Sequence, residues 1–198
     1  MRPAINLFLV LITVFTAVTS IGASPQVVVR IYNQTTALSE DIGPALGTAT
    51  GILDAAGVAV VWQRCDIRTS AAAACAAPIH ANELTIRLLA SPSSPGSQKQ
   101  LQLGYSVVDT GAHAGALATI YPDRVTMIAR EAGTRADLLL GRAIAHEIGH
   151  LLLGTTTHAA TGLMQAVWTI DTVRRDLPGD WFFTPRDAVA MQAALVGF

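Results

Sequence analysis

Apolar residues change period along this chain, and each change marks an element. Val27 to Tyr32 is a β-branched run that predicts a strand. Leu38, Ile42, Ala45, Leu46, Ala49, Ile52, Leu53 and Ala56 then recur at helical spacing, with Ser39 as the expected N-cap, Glu40 and Asp41 in the first turn and Gly57 as the stop. Val58 to Trp62 and Glu83 to Leu89 predict two more strands. Ser91 to Gln100 carries Pro92, Pro95, Gly96 and several serines, and is expected to be a flexible loop within one domain. Leu103 to Val108 and Ala116 to Tyr121 predict two further strands around a glycine-rich link containing Asp109, Gly111, His113 and Gly115. That link is either a plain turn or a binding loop.

The strongest helical pattern follows. From Thr134, Arg135 and Asp137 it runs through Leu138, Leu139, Leu140, Ala143, Ile144, Ile148, Leu151 and Leu152 to stop near Gly154. A helix apolar almost all round is expected to be buried. Trp168 and the charged stretch Asp171 to Asp180 suggest an irregular connection, and Thr184 with Pro185 opens a closing helix as N-cap and first residue. Trp168, Trp181, Phe182 and Phe183 are expected to pack, with one of them available to wall a substrate subsite.

Length and charge narrow the class. The chain has 198 residues, enough for one ordinary domain. Its net charge is -1, and its 13 Lys and Arg are scattered, so no electrostatic footprint for nucleic acid or an anionic membrane is present. Arg2, the apolar stretch Ala4 to Val18 and the small residues from Thr19 to Ser24 form the pattern of an export signal. Cleavage is expected between Ser20 and Ser24, giving a signal peptide over 1–23 and a mature domain over 24–198. A retained anchor is the alternative, but the apolar run is shorter than the roughly 20 residues that span a bilayer. The product is expected to be secreted or periplasmic, without stable membrane insertion, and monomeric. In an exported chain the two cysteines, Cys65 and Cys75, most simply form one disulfide. A thiolate switch on a metal is the sharper alternative, but such a cysteine normally sits in a propeptide.

The chemistry lies in the buried helix. Unpaired ionisable groups are costly in apolar surroundings, so His146, Glu147 and His150 need partners or a metal. Residues four apart lie about 40° apart around a helix axis and one turn apart along it, so both imidazoles reach one tetrahedral ion. With 5 His and 4 Glu in the chain, a chance match to H-E-x-x-H arises about once in four hundred such sequences. Two core histidines bonded to carbonyls are the plainer reading. A catalytic zinc usually takes three protein ligands and keeps a position for water. His158 is the leading third ligand, because Gly154 can turn the chain and the intervening steps span up to roughly 13 Å. Asp171, Asp176, Asp180 and Asp187 are alternatives, and no glutamate follows Glu147.

The segment from His146 to Met164 resembles the metzincin group of zinc peptidases, whose pattern is H-E-x-x-H-x-x-G-x-x-H followed by a methionine turn. The resemblance implies His146, His150 and His158 as Zn2+ ligands, Glu147 as general base, Gly154 as the turning glycine and Met164 as the methionine beneath the metal. It also implies a single zincin-like α+β domain, with a twisted, mostly parallel sheet, an active-site helix and a C-terminal helix. The sequence departs from the pattern by one extra residue between His150 and Gly154 and one more before His158. That places it in an outlying branch. The expected activity is hydrolysis of peptide bonds, with a peptide or protein substrate laid along Ala116 to Ile120 as edge strand and His113 or Tyr121 assisting the oxyanion. A noncatalytic metal-binding or interaction domain on the same scaffold is the alternative.

Overall fold

Alternation along the strands divides the sheet into two unlike faces. Val27, Val29, Ile31, Leu84, Ile86, Leu88, Ala118 and Ile120 share one face and are buried. Arg30, Glu83, Thr85, Arg87 and Thr119 share the other. The computed structural model describes residues 26–35, 42–65, 75–80, 83–92 and 102–196. The expected signal segment 1–23 and most of the expected loop 91–100 lie outside the described residues.

Five strands form one sheet: β1 (Gln26–Asn33), β2 (Ala59–Arg64), β3 (Glu83–Leu88), β4 (Gly104–Asp109) and β5 (Ala114–Ile120), in the order β2-β1-β3-β5-β4. The pairs β1·β2, β1·β3 and β3·β5 are parallel, and β4 is antiparallel to β5. β5 is therefore an interior strand. The expected edge, Ala116 to Ile120, is corrected to β4, because the short Asp109–His113 turn folds β4 back onto the outer side of β5.

The helices are α1 (Gly43–Ala55), α2 (Pro122–Ala132), α3 (Ala136–Leu153), α4 (Ile170–Arg175) and α5 (Pro185–Val196), with a 3-10 turn at Pro178–Asp180. α1 opens at Gly43, with Ile42 in the N-cap position and no side-chain cap, rather than at Ser39. Ser39, Glu40 and Asp41 lie outside the described residues. Pro44 fits the first turn, where its missing N–H costs nothing.

Two helices were not expected. α2 begins at Pro122 directly after β5, buries Val125, Ile128, Ala129 and Ala132, and ends on Gly133 at φ 73°. α4, only 6 residues long, lies inside the stretch expected to be irregular and is capped by Thr169, whose hydroxyl accepts from Thr172 N–H at 3.1 Å. α5 opens as expected at Thr184: Asp187 N–H donates to its hydroxyl oxygen at 3.2 Å, and the hydroxyl donates to the Asp187 carboxylate at 2.7 Å.

α3 is the central helix, packed against α1, α2, α5, β4 and β5. Gly141 lets α1 approach closely: a Cβ there would lie 2.5 Å from Thr48 Cβ and collide with the Ala45 carbonyl. On the opposite face of the sheet, Arg30 donates to Glu83 at 2.6 Å and to the carbonyls of Ala77 and Pro78 at 2.7 and 3.0 Å. The backbone N–H of His80, joined by the Arg30 guanidinium, holds the Glu83 carboxyl below its ordinary range. These bonds dock the segment that begins at Cys75, which is disulfide-bonded to Cys65. Among the described residues no helix is long and apolar enough to cross a membrane.

Candidate metal centre

His146, Glu147 and His150 project from the C-terminal half of α3 and are buried. Each helical imidazole is oriented by a main-chain carbonyl. His146 Nδ1 lies 2.8 Å from Leu163 O, and His150 Nδ1 lies 2.8 Å from Thr155 O. A carbonyl oxygen only accepts, so both hydrogens sit on Nδ1 and both Nε2 lone pairs point away from it. The Nε2 atoms are 3.1 Å apart.

Gly154 ends α3 in the left-handed conformation, at φ 60° and ψ 33°. It has a second reason to be glycine, because a Cβ would run into the backbone of His113 in the β4–β5 turn. The chain then folds back and brings His158 Nε2 to 3.2 Å from His150 Nε2. All three imidazoles offer ligand atoms within 4.8 Å of one another. Around zinc at about 2.0–2.1 Å from each nitrogen, tetrahedral ligands stand roughly 3.3 Å apart. The His150 separations match that edge. Lone pairs facing each other at such distances repel unless a cation lies between them, so the donor set fits a zinc ion.

Electrostatics favour the ligand form. Burial, followed by the neighbouring His150 and His158, lowers the His146 pKa to about 4, against the backbone bond to Leu163. Burial also lowers His150 and His158. Burial thus favours the neutral form of all three, the form that metal ligation requires.

Met164 is buried and its sulfur packs against α3 at Gly149, where a Cβ would lie 2.7 Å from Sδ and 2.6 Å from the Phe183 ring. The loop that carries it is pinned by Ala159 N–H to Met164 O at 2.8 Å and by Leu163 N–H to Phe182 O at 2.9 Å. Beside the site, Trp168 meets His146 edge to face, with centroids 5.4 Å apart, and Trp181 in the same way at 5.3 Å. Arg142 lies 3.9 Å over the Trp181 ring and pairs with Asp176 at 2.5 Å.

Glu147 points toward β4. Ser106 Oγ donates to Glu147 Oε2 at 2.6 Å and lies 3.0 Å from the Glu147 carbonyl oxygen. Two residues earlier on the same strand face, a Cβ on Gly104 would lie 3.0 Å from Oε1. Burial pushes the Glu147 carboxyl up to about 7, opposed by the bond from Ser106. A nearby cation would favour the carboxylate form. Sequence reasoning singled out neither Ser106 nor Gly104; position on alternate residues of a strand is the only local signal they carry.

The three histidines and Glu147 line a cleft of about 730 Å³, together with Leu103, Ile128, Ala143, Trp168 and Ile170 and with Gly104, Tyr105 and Ser106 of β4. His113 and Tyr121, expected near the oxyanion, do not line it. His113 sits in the β4–β5 turn, and Tyr121 packs against Tyr105 with Arg124 over its ring. Of the alternative acidic ligands, Asp176 pairs with Arg142, Asp171 with Arg174, and Asp187 caps α5. Asp180 lies in the 3-10 turn.

Sheet order, central helix and site together define a zincin-like α+β domain. Among solved structures the chain superposes on archaemetzincin from Methanopyrus kandleri with a TM-score of 0.51 and 16% sequence identity, over 89% of this chain and 99% of that one. At that identity the likeness establishes the fold. No protein-family model and no curated protein matches the chain.

Proposed function

We propose that this chain is a secreted zinc-dependent endopeptidase, with His146, His150 and His158 as ligands and Glu147 as general base. The observation that carries the reading is the convergence of three imidazoles beside a buried carboxylate, in a cleft bordered by β4, the edge strand among the described residues. The fold shared with archaemetzincin and the metzincin resemblance of residues 146–164 agree with it.

Zinc held by His146, His150 and His158 would supply Lewis acidity toward a water and the scissile carbonyl. Glu147 accepts the water's proton and returns it to the leaving amine. The substrate lies extended along β4, with main-chain hydrogen bonds setting its register. Main-chain pairing along β4 would recognise a peptide through its backbone and needs neither terminus, which favours cleavage inside a chain. The disulfide supports export, and residues 1–23 are read as the signal.

The zinc-loaded mature protein is expected to cleave peptides blocked at both ends as fast as their unblocked forms. A strong chelator should abolish cleavage, and added zinc should restore it. Cleavage products are identified by mass spectrometry from a proteome-derived peptide mixture. Tight zinc binding with no cleaved peptide would favour the noncatalytic reading, and dependence on a free terminus would make the enzyme an exopeptidase.

A further inference from the structure

Glutamate has three rotatable side-chain bonds, and a general base acts only from within hydrogen-bond reach of the proton it takes. Something must hold Glu147 in place. Among the described residues, the donor that reaches its carboxylate is the Ser106 hydroxyl, which also lies against the main-chain carbonyl of the same residue. The two residues are separated by 41 positions, so the contact joins edge strand to helix. Gly104 completes the cradle by leaving room above Oε1.

We propose that Ser106 is a positioning residue for Glu147: its hydroxyl holds Oε2 and so keeps the carboxylate in one orientation between α3 and β4. This rests on the reading of Glu147 as general base. Ser106 belongs to the strand along which the substrate is proposed to lie, so the element that sets substrate register also sets the base. A small misplacement of a reacting group costs orders of magnitude in rate, whereas substrate binding on the strand's main chain is indifferent to this hydroxyl.

The test uses zinc-loaded mature protein carrying Ser106→Ala, Ser106→Thr, Glu147→Gln or the pair S106A/E147Q. Ser106→Ala is expected to lower kcat about tenfold with KM, zinc content and Tm unchanged. Its crystal structure should show the Glu147 carboxylate in more than one orientation. Ser106→Thr, which keeps the hydroxyl, is expected to restore most of the rate. In the Glu147→Gln background, Ser106→Ala should change the residual rate by less than about twofold, because a positioned base is no longer there to lose. Unchanged kcat in Ser106→Ala, an equal fractional loss in both backgrounds, or a threonine variant as slow as the alanine one would overturn the proposal. If Glu147→Gln itself kept full turnover, the functional reading would fail first. If Glu147→Gln is slow and Ser106→Ala is not, only the positioning role falls.

Discussion

Replacing Glu147 with Gln is expected to leave zinc bound and to lower turnover at least about a hundredfold, in line with the usual contribution of a general base. The substitution keeps the shape of the side chain and its capacity to accept from Ser106 Oγ, now 2.6 Å from Oε2. It removes the group that takes up a proton. Neither helical imidazole depends on Glu147 for orientation, since His146 and His150 are held by the carbonyls of Leu163 and Thr155. Zinc content should therefore match that of the wild type while kcat collapses. Steady-state cleavage of an internally quenched peptide, with zinc measured by elemental analysis on the same sample, checks both halves. Undiminished cleavage would remove Glu147 from the mechanism.

Replacing His158 with Ala is expected to weaken zinc binding by more than about a hundredfold. Loss of an outer partner of a ligand already costs about 10–100-fold in metal affinity, and here the ligand itself is removed. α3 supplies only two nitrogens, and the third comes from the segment after Gly154. His158 is exposed, so the truncation leaves no core cavity and the variant should fold. His80→Ala and His113→Ala should keep their metal, because one residue lies in the segment beside Glu83 and the other in the β4–β5 turn. Dialysis against a weak chelator followed by elemental analysis separates these outcomes. Full occupancy in the His158 variant, with loss in a His113 or Asp171 variant, would refute the ligand set.

The parts of this architecture legible in the sequence are those written in local period. The run Val27 to Tyr32, the alternation after Glu83 and the apolar helix ending at Gly154 each form the expected element within one or two residues. The spacing of His146 and His150 on that helix also declares itself, because four residues make one turn. Order within the sheet is different: whether β4 or β5 forms the edge depends on pairings made across the chain, and no residue of Ala114–Ile120 records which neighbour lies beyond it. α2 carried its own signals, Pro122 at the start, Gly133 at the end and Val125, Ile128, Ala129 and Ala132 between them. Its many polar residues lower its average hydrophobicity, so it stands out less than the greasy helix that follows. The cradle of Ser106 and Gly104 was invisible for a further reason, since a serine on a strand looks the same whether it faces water or a carboxylate.

The edge-to-face contact between Trp168 and His146, with Trp181 edge to face behind Trp168, makes the centre optically observable from within the chain. Indole emission is sensitive to the charge and electronic states of its neighbours, and here an indole touches a ligand imidazole. Zinc should shift the emission by fixing that ring, while cobalt(II), whose partly filled d shell accepts excitation energy, should quench it. The remaining tryptophan, Trp62, lies on β2 at the far edge of the sheet, with its indole N–H bonded to Thr50 at 2.8 Å. Its emission supplies a constant background. Metal occupancy should therefore be readable by titration without a label, and the zinc-induced shift should weaken in Trp168→Phe while zinc remains bound.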